Sequence, residues 1–482
     1  MSQTQAPTTS RRWLALAVIA AAQFMVIMDT SIIGVALPQM QADLGFSPEN
    51  LSWVFNAYVV ALGGLLLLGG KLSDVLGARK VFSAGWVILI AGSLVAGLAG
   101  NVAVELTGRA LQGVGSALIA PSALTLLFML FGANPKELTK ALALYGAAAP
   151  AGGTAGVFLG GVITEYVDWA WVFYINIPIA LVILALVPGV MPAGGPSTHS
   201  RVDLLGAVTV TGGLAAAVYA VVRAPEVGWD AVQTWLLLGA AAVLLSIFVA
   251  LQAKGGDPLL RLGIFRAPNL AAANLAQMLL GAAWIPMWFF LNLYLQQVLG
   301  YSAFPSGAAL LPMTGLIMVG MIVVAPRAIA VFGPKNVTVV GLLLLAAGMG
   351  WLSLVDAGGS FAVDVLPASL LAAFGMSLAF IPTLSTAISS ARPEEGGLAA
   401  GIVNTSYQVG SALGLAVMTA VAAANGADQL GNPAVLTSGF SAAFVGAAAV
   451  AIVGAISAGV FLRTPAAPAL RQDRLPTNLS DS

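Results

Sequence analysis

The sequence predicts an all-α polytopic membrane protein with fourteen transmembrane helices. Three observations predict it. Hydrophobic residues make up 59% of the 482 residues, charged residues make up only 8%, and long apolar runs alternate with short polar segments. A soluble domain carries about 25% charged residues, because its surface must be hydrated. Lipid is therefore the expected solvent for most of this chain.

A transmembrane helix needs about 20 consecutive apolar residues. Fourteen runs meet this requirement, at 13–37, 50–70, 80–100, 103–131, 138–163, 169–192, 203–223, 233–253, 269–297, 304–326, 336–355, 363–390, 398–424 and 437–462. The first run is longer than the apolar region of a typical signal peptide, so we expect it to be retained. The joining segments are too short for a separate soluble domain.

The basic residues alternate with the predicted spans. If the N-terminus is cytoplasmic, 17 of the 19 Lys and Arg residues lie in cytoplasmic segments. Arg223 falls on the outer side, and Arg109 lies within a span. This asymmetry is what the positive-inside rule requires. We therefore expect a multi-pass protein of the cell inner (plasma) membrane with both termini in the cytoplasm.

An internal repeat divides the chain. Residues 70–92 and 326–348 match at a constant offset of 256, including Gly77 with Gly333, Gly85 with Gly341 and Gly92 with Gly348. Such repeats indicate two related halves with a binding site between them. We predict an N-terminal six-helix half (13–192), an inserted pair of helices with linkers (193–268), a C-terminal six-helix half (269–462) and a cytoplasmic tail (463–482).

Two charged residues lie well inside the predicted spans. Asp29 precedes the outer end of span 1 at Leu37 by eight residues, and Arg109 follows the outer start of span 4 near Asn101 by eight residues. At 1.5 Å per residue, both lie about 12 Å below the outer surface. Charges at one depth can form a pair, and ionisable residues within a membrane are usually functional. Asp29 is therefore expected to carry a proton, a cationic substrate, or each in turn.

Two other interpretations remain open for this pair. The ion pair can be a fixed link between two helices. Alternatively, Arg109 pairs with Glu105 one turn away, and Asp29 forms a hydrogen bond with Ser31 or Gln23.

Two further segments predict conformational roles. The turn between spans 2 and 3 combines charges with glycines, at Gly70, Asp74, Gly77, Arg79 and Lys80. Arg79 and Lys80 fit the topogenic charge pattern, whereas Asp74 is placed to cap a helix N-terminus across the interface between the halves. Span 5 carries small residues at close spacing, which favour tight helix packing and a seal of the outward pathway; they include Gly152, Gly156, Gly160 and Gly161.

Polar and aromatic residues on the late spans predict a substrate cavity. In span 9, Asn274, Gln277, Trp284 and Trp288 recur at helical spacing, although Trp residues also serve as interfacial anchors. The complete predicted substrate-binding set is Gln23, Gln112, Asn274, Gln277, Trp284, Trp288, Asn292, Asn404, Tyr407 and Gln408.

Composition excludes several function classes. The chain has no Cys and no net charge, so disulfides, thiolate metal sites and nucleic-acid binding are not expected. Its single His, His199, falls in a linker. A membrane-embedded enzyme would need clustered catalytic acids or His near one membrane face, and we find no such cluster in the sequence. We expect neither an enzyme nor a metal protein.

Four motifs resemble those of the major facilitator superfamily, and specifically its fourteen-span drug/proton antiporters. The segment "GKLSDVLGARK" (70–80) is similar to the superfamily signature between spans 2 and 3. "RALQGVGSALIAP" (109–121) resembles the span 4 signature of proton-coupled exporters, and "MDTSIIGVALP" (28–38) resembles a span 1 signature of the fourteen-span group. "GGTAGVFLGG" (152–161) resembles the span 5 exporter signature, with Val157 in the place of its Pro.

The resemblance implies export of small lipophilic compounds in exchange for protons, by alternating access. It implies proton coupling through Asp29 and Arg109, with the proton gradient instead of a cofactor. The expected partners are the substrate, protons and membrane lipids, and the protein is expected to function as a monomer. Proton-coupled metabolite uptake and lipid export by the same fold remain alternatives.

Overall fold

The structure is a computed structural model that describes residues 9–192, 202–256, 258–391 and 396–463. All regular elements within these ranges are helices. We number them α1 (Thr9–Leu44), α2 (Trp53–Leu76), α3 (Ala78–Gly97), α4 (Val102–Phe131), α5 (Pro135–Tyr166), α6 (Trp171–Val190), α7 (Leu204–Val227), α8 (Val232–Lys254), α9 (Leu270–Val298), α10 (303–332), α11 (334–352), α12 (Phe361–Ser390), α13 (Gly396–Ala422) and α14 (Pro433–Phe461).

The predicted number of spans is confirmed. Thirteen helical segments in the described part of the chain are long and apolar enough to cross a membrane, and one of them runs for 50 residues from Ala303 to Leu352. Such a helix would be about 75 Å long, more than twice the hydrocarbon thickness of about 30 Å. Gly333 interrupts it with a φ of 76° and a ψ of 157°. The segment therefore makes two crossings, α10 and α11.

The internal repeat is visible in the backbone. Gly77 joins α2 to α3 with a φ of 93°, and its counterpart Gly333 joins α10 to α11 with a similar conformation. The glycines that follow them also match. A Cβ atom on Gly85 would lie 2.8 Å from the carbonyl oxygen of Gly115 in α4, and a Cβ atom on Gly341 would lie 2.6 Å from the backbone nitrogen of Ala379 in α12. Each half thus uses glycine both for the turn and for the helix packing that follows.

Helix packing separates the halves from the inserted pair. Helices α1–α6 pack among themselves, as do α9–α14, while α7 and α8 pack on each other. Helix α7 also contacts α2 and α13, so the inserted pair lies beside the interface between the halves. Our boundaries at 193, 269 and 463 stay predictions. His199 and the tail residues 464–482 lie outside the described residues.

The two halves meet closely at the predicted outer end. Gln296 of α9 donates a hydrogen bond of 2.9 Å to the carbonyl oxygen of Val35 in α1. Gln297 donates another, also 2.9 Å, to the side chain of Gln41. The aromatic ring of Phe304 in α10 packs on Tyr166 in α5, with ring centroids 5.9 Å apart. The protein is therefore closed at this end.

The backbone at Gly77 predicts a stability effect. Replacing Gly77 by Ala should destabilise the protein by about 1–3 kcal/mol, because a residue with a Cβ atom avoids this conformation. Thermal unfolding of the purified protein measures the effect. Gly350→Ala is the matched control, since Gly350 is helical with open space around its Cβ position. Equal stability of the two variants would contradict the prediction.

Candidate functional site

The site begins at the N-terminus of α4. The side chain of Asn101 caps this helix by accepting a hydrogen bond of 3.1 Å from the backbone nitrogen of Val104. Residues four and seven positions apart on a helix share one face. Helix α4 thereby directs Glu105, Arg109 and Gln112 towards the interior, where all three have an exposed fraction of 0%.

Arg109 and Asp29 form a buried ion pair. Nη1 of Arg109 lies 2.8 Å from Oδ2 of Asp29, and the side chains are 0% and 1% exposed. The equal depths calculated from the sequence predicted this contact, and it is confirmed. The alternative pairing of Arg109 with Glu105 is wrong. The alternative hydrogen bond of Asp29 to Ser31 or Gln23 is also wrong, because Asp29 accepts hydrogen bonds from other side chains.

Amide side chains complete the shell around Asp29. Oδ1 of Asp29 accepts a hydrogen bond of 3.0 Å from Gln112 and one of 2.7 Å from Nδ2 of Asn176 in α6. Gln112 also donates to the hydroxyl of Ser93 in α3 at 2.9 Å. Helices α1, α3, α4 and α6 therefore converge on one carboxylate. Such hydrogen bonds offset part of the cost of burying its charge.

Arg109 is held from three further directions. Its Nε donates a hydrogen bond of 2.9 Å to the carbonyl oxygen of Val54 in α2, and Nη1 donates one of 2.6 Å to Gln112. The guanidinium carbon lies 4.6 Å from the ring centroid of Tyr58 and 5.9 Å from that of Phe173. Nη2 has no hydrogen-bond partner among the described residues. The cation is thus fixed but retains one free donor group.

Sequence reasoning missed two members of this site, Ser93 and Asn176, and underestimated a third residue, Glu105. Ser93 and Asn176 are isolated polar residues within apolar stretches of α3 and α6, and only the relative rotation of the helices brings them to Asp29. A single amide in the run "VFYINIPIALVILAL" (172–186) was a usable signal for Asn176. Glu105 was assigned only as a possible partner of Arg109, yet both of its carboxylate oxygens are buried with no hydrogen-bond partner in the described structure.

The glycines of α5 have two different roles. Cβ atoms on Gly152, Gly156 and Gly160 would lie 2.3–2.8 Å from carbonyl oxygens of α1. These three glycines pack α5 against α1 within one half, as their close spacing predicted, and their role in sealing the outward pathway stays a prediction. Gly161 does lie at the interface, where its Cβ would be 3.1 Å from the backbone of Phe304 in α10. Of these four glycines, Gly161 is the one in direct contact with the other half.

The turn between α2 and α3 presents its charges at the surface. Asp74 and Lys80 are exposed, and Arg79 donates a long hydrogen bond of 3.5 Å to the carbonyl oxygen of Met191. Gly70 packs beside Pro121 of α4, with 3.7 Å between its Cβ position and the proline ring. Asp74 makes no hydrogen bond to any described residue. Residues 392–395, which precede α13, lie outside the described residues, so the proposed cap across the interface stays a prediction.

The predicted substrate-binding residues fall into several environments. Gln112 belongs to the Asp29 site, and Gln23 accepts a hydrogen bond of 2.8 Å from the hydroxyl of Tyr145 within the N-terminal half. Asn274 accepts one of 2.8 Å from Ser406. Gln277 accepts a hydrogen bond from Thr383. These amides therefore already have partners within the protein in this conformation.

The aromatic members lie near the interface between the halves. The rings of Trp284 and Trp288 are 6.4 Å apart. A Cβ atom on Gly34 of α1 would lie 3.1 Å from Nε1 of Trp288 and 3.0 Å from the amide nitrogen of Asn292. Tyr407 packs on Phe380, with ring centroids 5.6 Å apart.

The remaining two substrate candidates are on α13. Asn404 is exposed, and the Cβ atom of Gln408 lies 3.0 Å from the Cβ position of Gly63 in α2. The role of the whole substrate-binding set stays a prediction.

Comparison with known proteins identifies the family. A profile of the Major Facilitator Superfamily matches residues 19–415. The chain belongs to the Major Facilitator Superfamily. The matched region contains Asp29, Arg109 and both halves of the repeat, as the sequence motifs predicted.

Several similar proteins are named for antibiotic export or resistance. The chain is 37% identical to the cephamycin export protein CmcT of Amycolatopsis lactamdurans, over 97% of this chain and 95% of that protein. It is 37% identical to the puromycin resistance protein pur8 of Streptomyces alboniger, over 95% and 93%. It is 34% identical to the tetracenomycin C resistance and export protein of Streptomyces glaucescens, over 85% and 75%. This chain is thus a multi-pass membrane transporter of the superfamily.

Solved structures agree on the fold. The human organic anion transporter MFSD10 superposes with a TM-score of 0.63 at 17% identity, covering 94% of this chain and all of that one. A D-xylose–proton symporter superposes with a TM-score of 0.64 at 15% identity, covering 93% and 97%. At these identities, the likeness concerns the architecture alone.

The buried ion pair predicts strong thermodynamic coupling. Asp29→Asn leaves the Arg109 charge unpaired in the interior, which should cost about 3–5 kcal/mol. In the double variant with Arg109→Gln, both charges are gone, so the loss of stability should be smaller than the sum of the single losses. Thermal unfolding of the four proteins measures this coupling.

The partly exposed ion pair of Arg223 with Glu226, at 2.7 Å, provides the control. Its coupling should be at most about 1 kcal/mol because water screens it. Additive effects at Asp29 and Arg109 would contradict the assigned pairing.

Proposed function

We propose that this transporter exports small lipophilic antibiotics or drugs from the cytoplasm in exchange for protons. The observation that carries the proposal is the ion pair of Asp29 with Arg109, which lies fully buried within spanning helices. Support for the substrate class comes from the cephamycin, puromycin and tetracenomycin C relatives. The positive-inside pattern supports an orientation with both termini in the cytoplasm, and export from the cell requires that the transporter lies in the plasma membrane.

The surroundings of Asp29 suit a proton carrier. Its carboxylate accepts hydrogen bonds from Arg109, Gln112 and Asn176. Protonation converts one carboxylate oxygen of Asp29 from a hydrogen-bond acceptor into an O–H donor. At least one of these three hydrogen bonds must then weaken or rearrange. Binding or loss of a single proton therefore changes the packing of α1 against α4 and α6.

The transport cycle follows from this change. When the outer end is open, Asp29 takes a proton from outside while the substrate leaves. Neutral Asp29 favours closure of the outer end, and the halves rock to open the cytoplasmic side. Asp29 then releases its proton, and a new substrate molecule binds near Trp284 and Trp288. Each proton that enters supplies about 2.3 kcal/mol per 100 mV of membrane potential, and this energy drives the substrate against its gradient.

The interface between the halves is the expected place of substrate binding. Trp284, Trp288 and Tyr407 offer aromatic faces, and Asn292 has a buried carbonyl oxygen without a hydrogen-bond partner in the described structure. Largely apolar walls with a few polar groups suit small lipophilic molecules.

Proton coupling through Asp29 is tested in everted membrane vesicles. A pH-sensitive dye reports the acid interior while puromycin, a cephamycin, tetracenomycin C and a panel of lipophilic drugs are added. We expect at least one compound to dissipate the acid interior with the wild-type protein. Asp29→Asn should abolish this response, because the amide does not take up a proton in this pH range.

Asp230→Asn is the control, because Asp230 is an exposed carboxylate between α7 and α8 and should leave the response unchanged. If Asp29→Asn gives the same dye response as the wild type, Asp29 does not carry the coupled proton. A wild-type protein that moves no protons with any compound would contradict drug/proton exchange.

Alternating access requires the outer contacts between α5 and α10 to separate. The chain contains no Cys, so Tyr166→Cys and Phe304→Cys can be introduced without other changes. A short bifunctional thiol reagent should link this pair and stop transport, and a reducible linker should restore transport on cleavage.

The pair Trp171→Cys and Tyr174→Cys is the matched control, since both residues lie on α6 with rings 5.6 Å apart. Linking them bridges no interface and should leave transport unchanged. Full transport by the protein linked between α5 and α10 would show that this end does not need to open.

A further inference from the structure

A second buried carboxylate lies beside the ion pair. Glu105 is 0% exposed, and neither of its oxygens has a hydrogen-bond partner in the described structure. An isolated ionised carboxylate is far more costly to bury than a neutral acid. Burial without a hydrogen-bond partner therefore favours the neutral form of Glu105 in this conformation.

The position of Glu105 places it on the outer side of the ion pair. It lies four residues after the Asn101 cap and one turn before Arg109, about 6 Å from each along the helix axis. The charged groups that act on it electrostatically are Arg109 of the same helix and Asp29 of α1. Tyr58 of α2 faces the same guanidinium, but its hydroxyl donates to Ser116 at 2.9 Å.

The charge balance permits an exchange between the two acids. With one proton on Glu105, the group of Asp29, Glu105 and Arg109 has a net charge of zero. Moving that proton to Asp29 breaks an O–H bond at Glu105, forms one at Asp29 and leaves the net charge at zero. No additional charge is then created in the low-dielectric interior, where it would be costly.

Arg109 has the free group that this exchange requires. Its Nη1 contacts Asp29, while its Nη2 has no partner among the described residues. When Asp29 becomes protonated, its attraction to the guanidinium falls. The newly ionised Glu105, one turn away on the same face, can then take the free Nη2 as its partner.

We propose that Glu105 is a second proton carrier, which takes protons from the outer side and passes them to Asp29 while Arg109 exchanges one carboxylate for the other. This proposal rests on the proposed proton-coupled export. The fully buried, unpartnered carboxylate beside an unpartnered donor of Arg109 is the observation behind it. A carboxylate with a purely structural role would have its hydrogen-bonding groups satisfied.

The experiment compares Glu105→Gln, Glu105→Asp and the wild type as full-length protein in proteoliposomes. Gln imitates the protonated acid in shape, so Glu105→Gln should keep its thermal stability and its substrate–substrate exchange without a proton gradient. Drug-driven proton flux should fall about tenfold or more, equivalent to about 1.4 kcal/mol in the transfer barrier. Glu105→Asp should recover part of this flux. Glu226→Gln, which removes an exposed carboxylate from α7, should behave as the wild type.

Infrared difference spectra provide a readout independent of transport. The carbonyl stretch of a protonated carboxylic acid should be present in the wild type at neutral pH and absent in Glu105→Gln. Unchanged proton flux and unchanged pH dependence in Glu105→Gln would overturn the proposal while leaving coupling through Asp29 intact. A loss of both exchange and stability would also overturn it, since that pattern indicates a structural carboxylate. Absence of drug-driven flux in the wild type would instead reject the proposed function itself.

Discussion

The structure depends on the cost of placing one carboxylate within a membrane-embedded interior. Asp29 is almost completely buried, and a lone charge there would be costly in free energy. Three other helices supply the compensation: α4 contributes Arg109 and Gln112, α6 contributes Asn176, and α3 orients these amides through Ser93. The network constrains the mutual rotation of these helices more specifically than apolar contacts do, because each hydrogen bond has a direction as well as a distance. A change in the proton content of Asp29 therefore acts on the helix arrangement of the whole N-terminal half.

Much of this architecture could be predicted from the sequence because the membrane imposes simple rules. Span length follows from bilayer thickness, and the repeat follows from glycines at a fixed offset. The orientation inferred from the distribution of Lys and Arg stays a prediction. The depth of a residue in the membrane follows from its distance to the end of its helix, since the rise per residue is constant. This rule placed Asp29 level with Arg109. Gly333 shows the value of the repeat: α10 and α11 form one helical trace broken by a single residue, and the match with Gly77 identifies that residue as a turn.

Rotation of the helices about their axes could not be predicted in the same way. Depth alone allowed Arg109 to pair with either Asp29 or Glu105, and only the packed structure distinguishes the two. The same limit explains why Asn176 was missed and why Gln112 was assigned to the substrate cavity. The glycines of α5 illustrate it again. Their spacing predicted close packing correctly, but it did not say that Gly160 and Gly161, adjacent in sequence, face different helices in different halves of the protein.

The two-sided packing of α5 connects the Asp29–Arg109 ion pair to the contacts that close the predicted outer end. Gly156 and Gly160 pack on the backbone of α1 at Met28 and Ile32, on either side of Asp29, while Gly161 packs on α10 across the interface. Helix α5 is thus in contact with both the segment that carries Asp29 and the segment that closes the outer end. Close backbone contacts leave little room for independent sliding, because protein interiors are densely packed and transmit strain. Separation of α5 from α10 must therefore move α1 as well or strain its contact with α5, and either outcome is felt at Asp29. Under the proposed function the linkage is reciprocal. A proton bound at Asp29 would alter its contacts and thereby the free energy of opening at the outer end, as coupled transport requires.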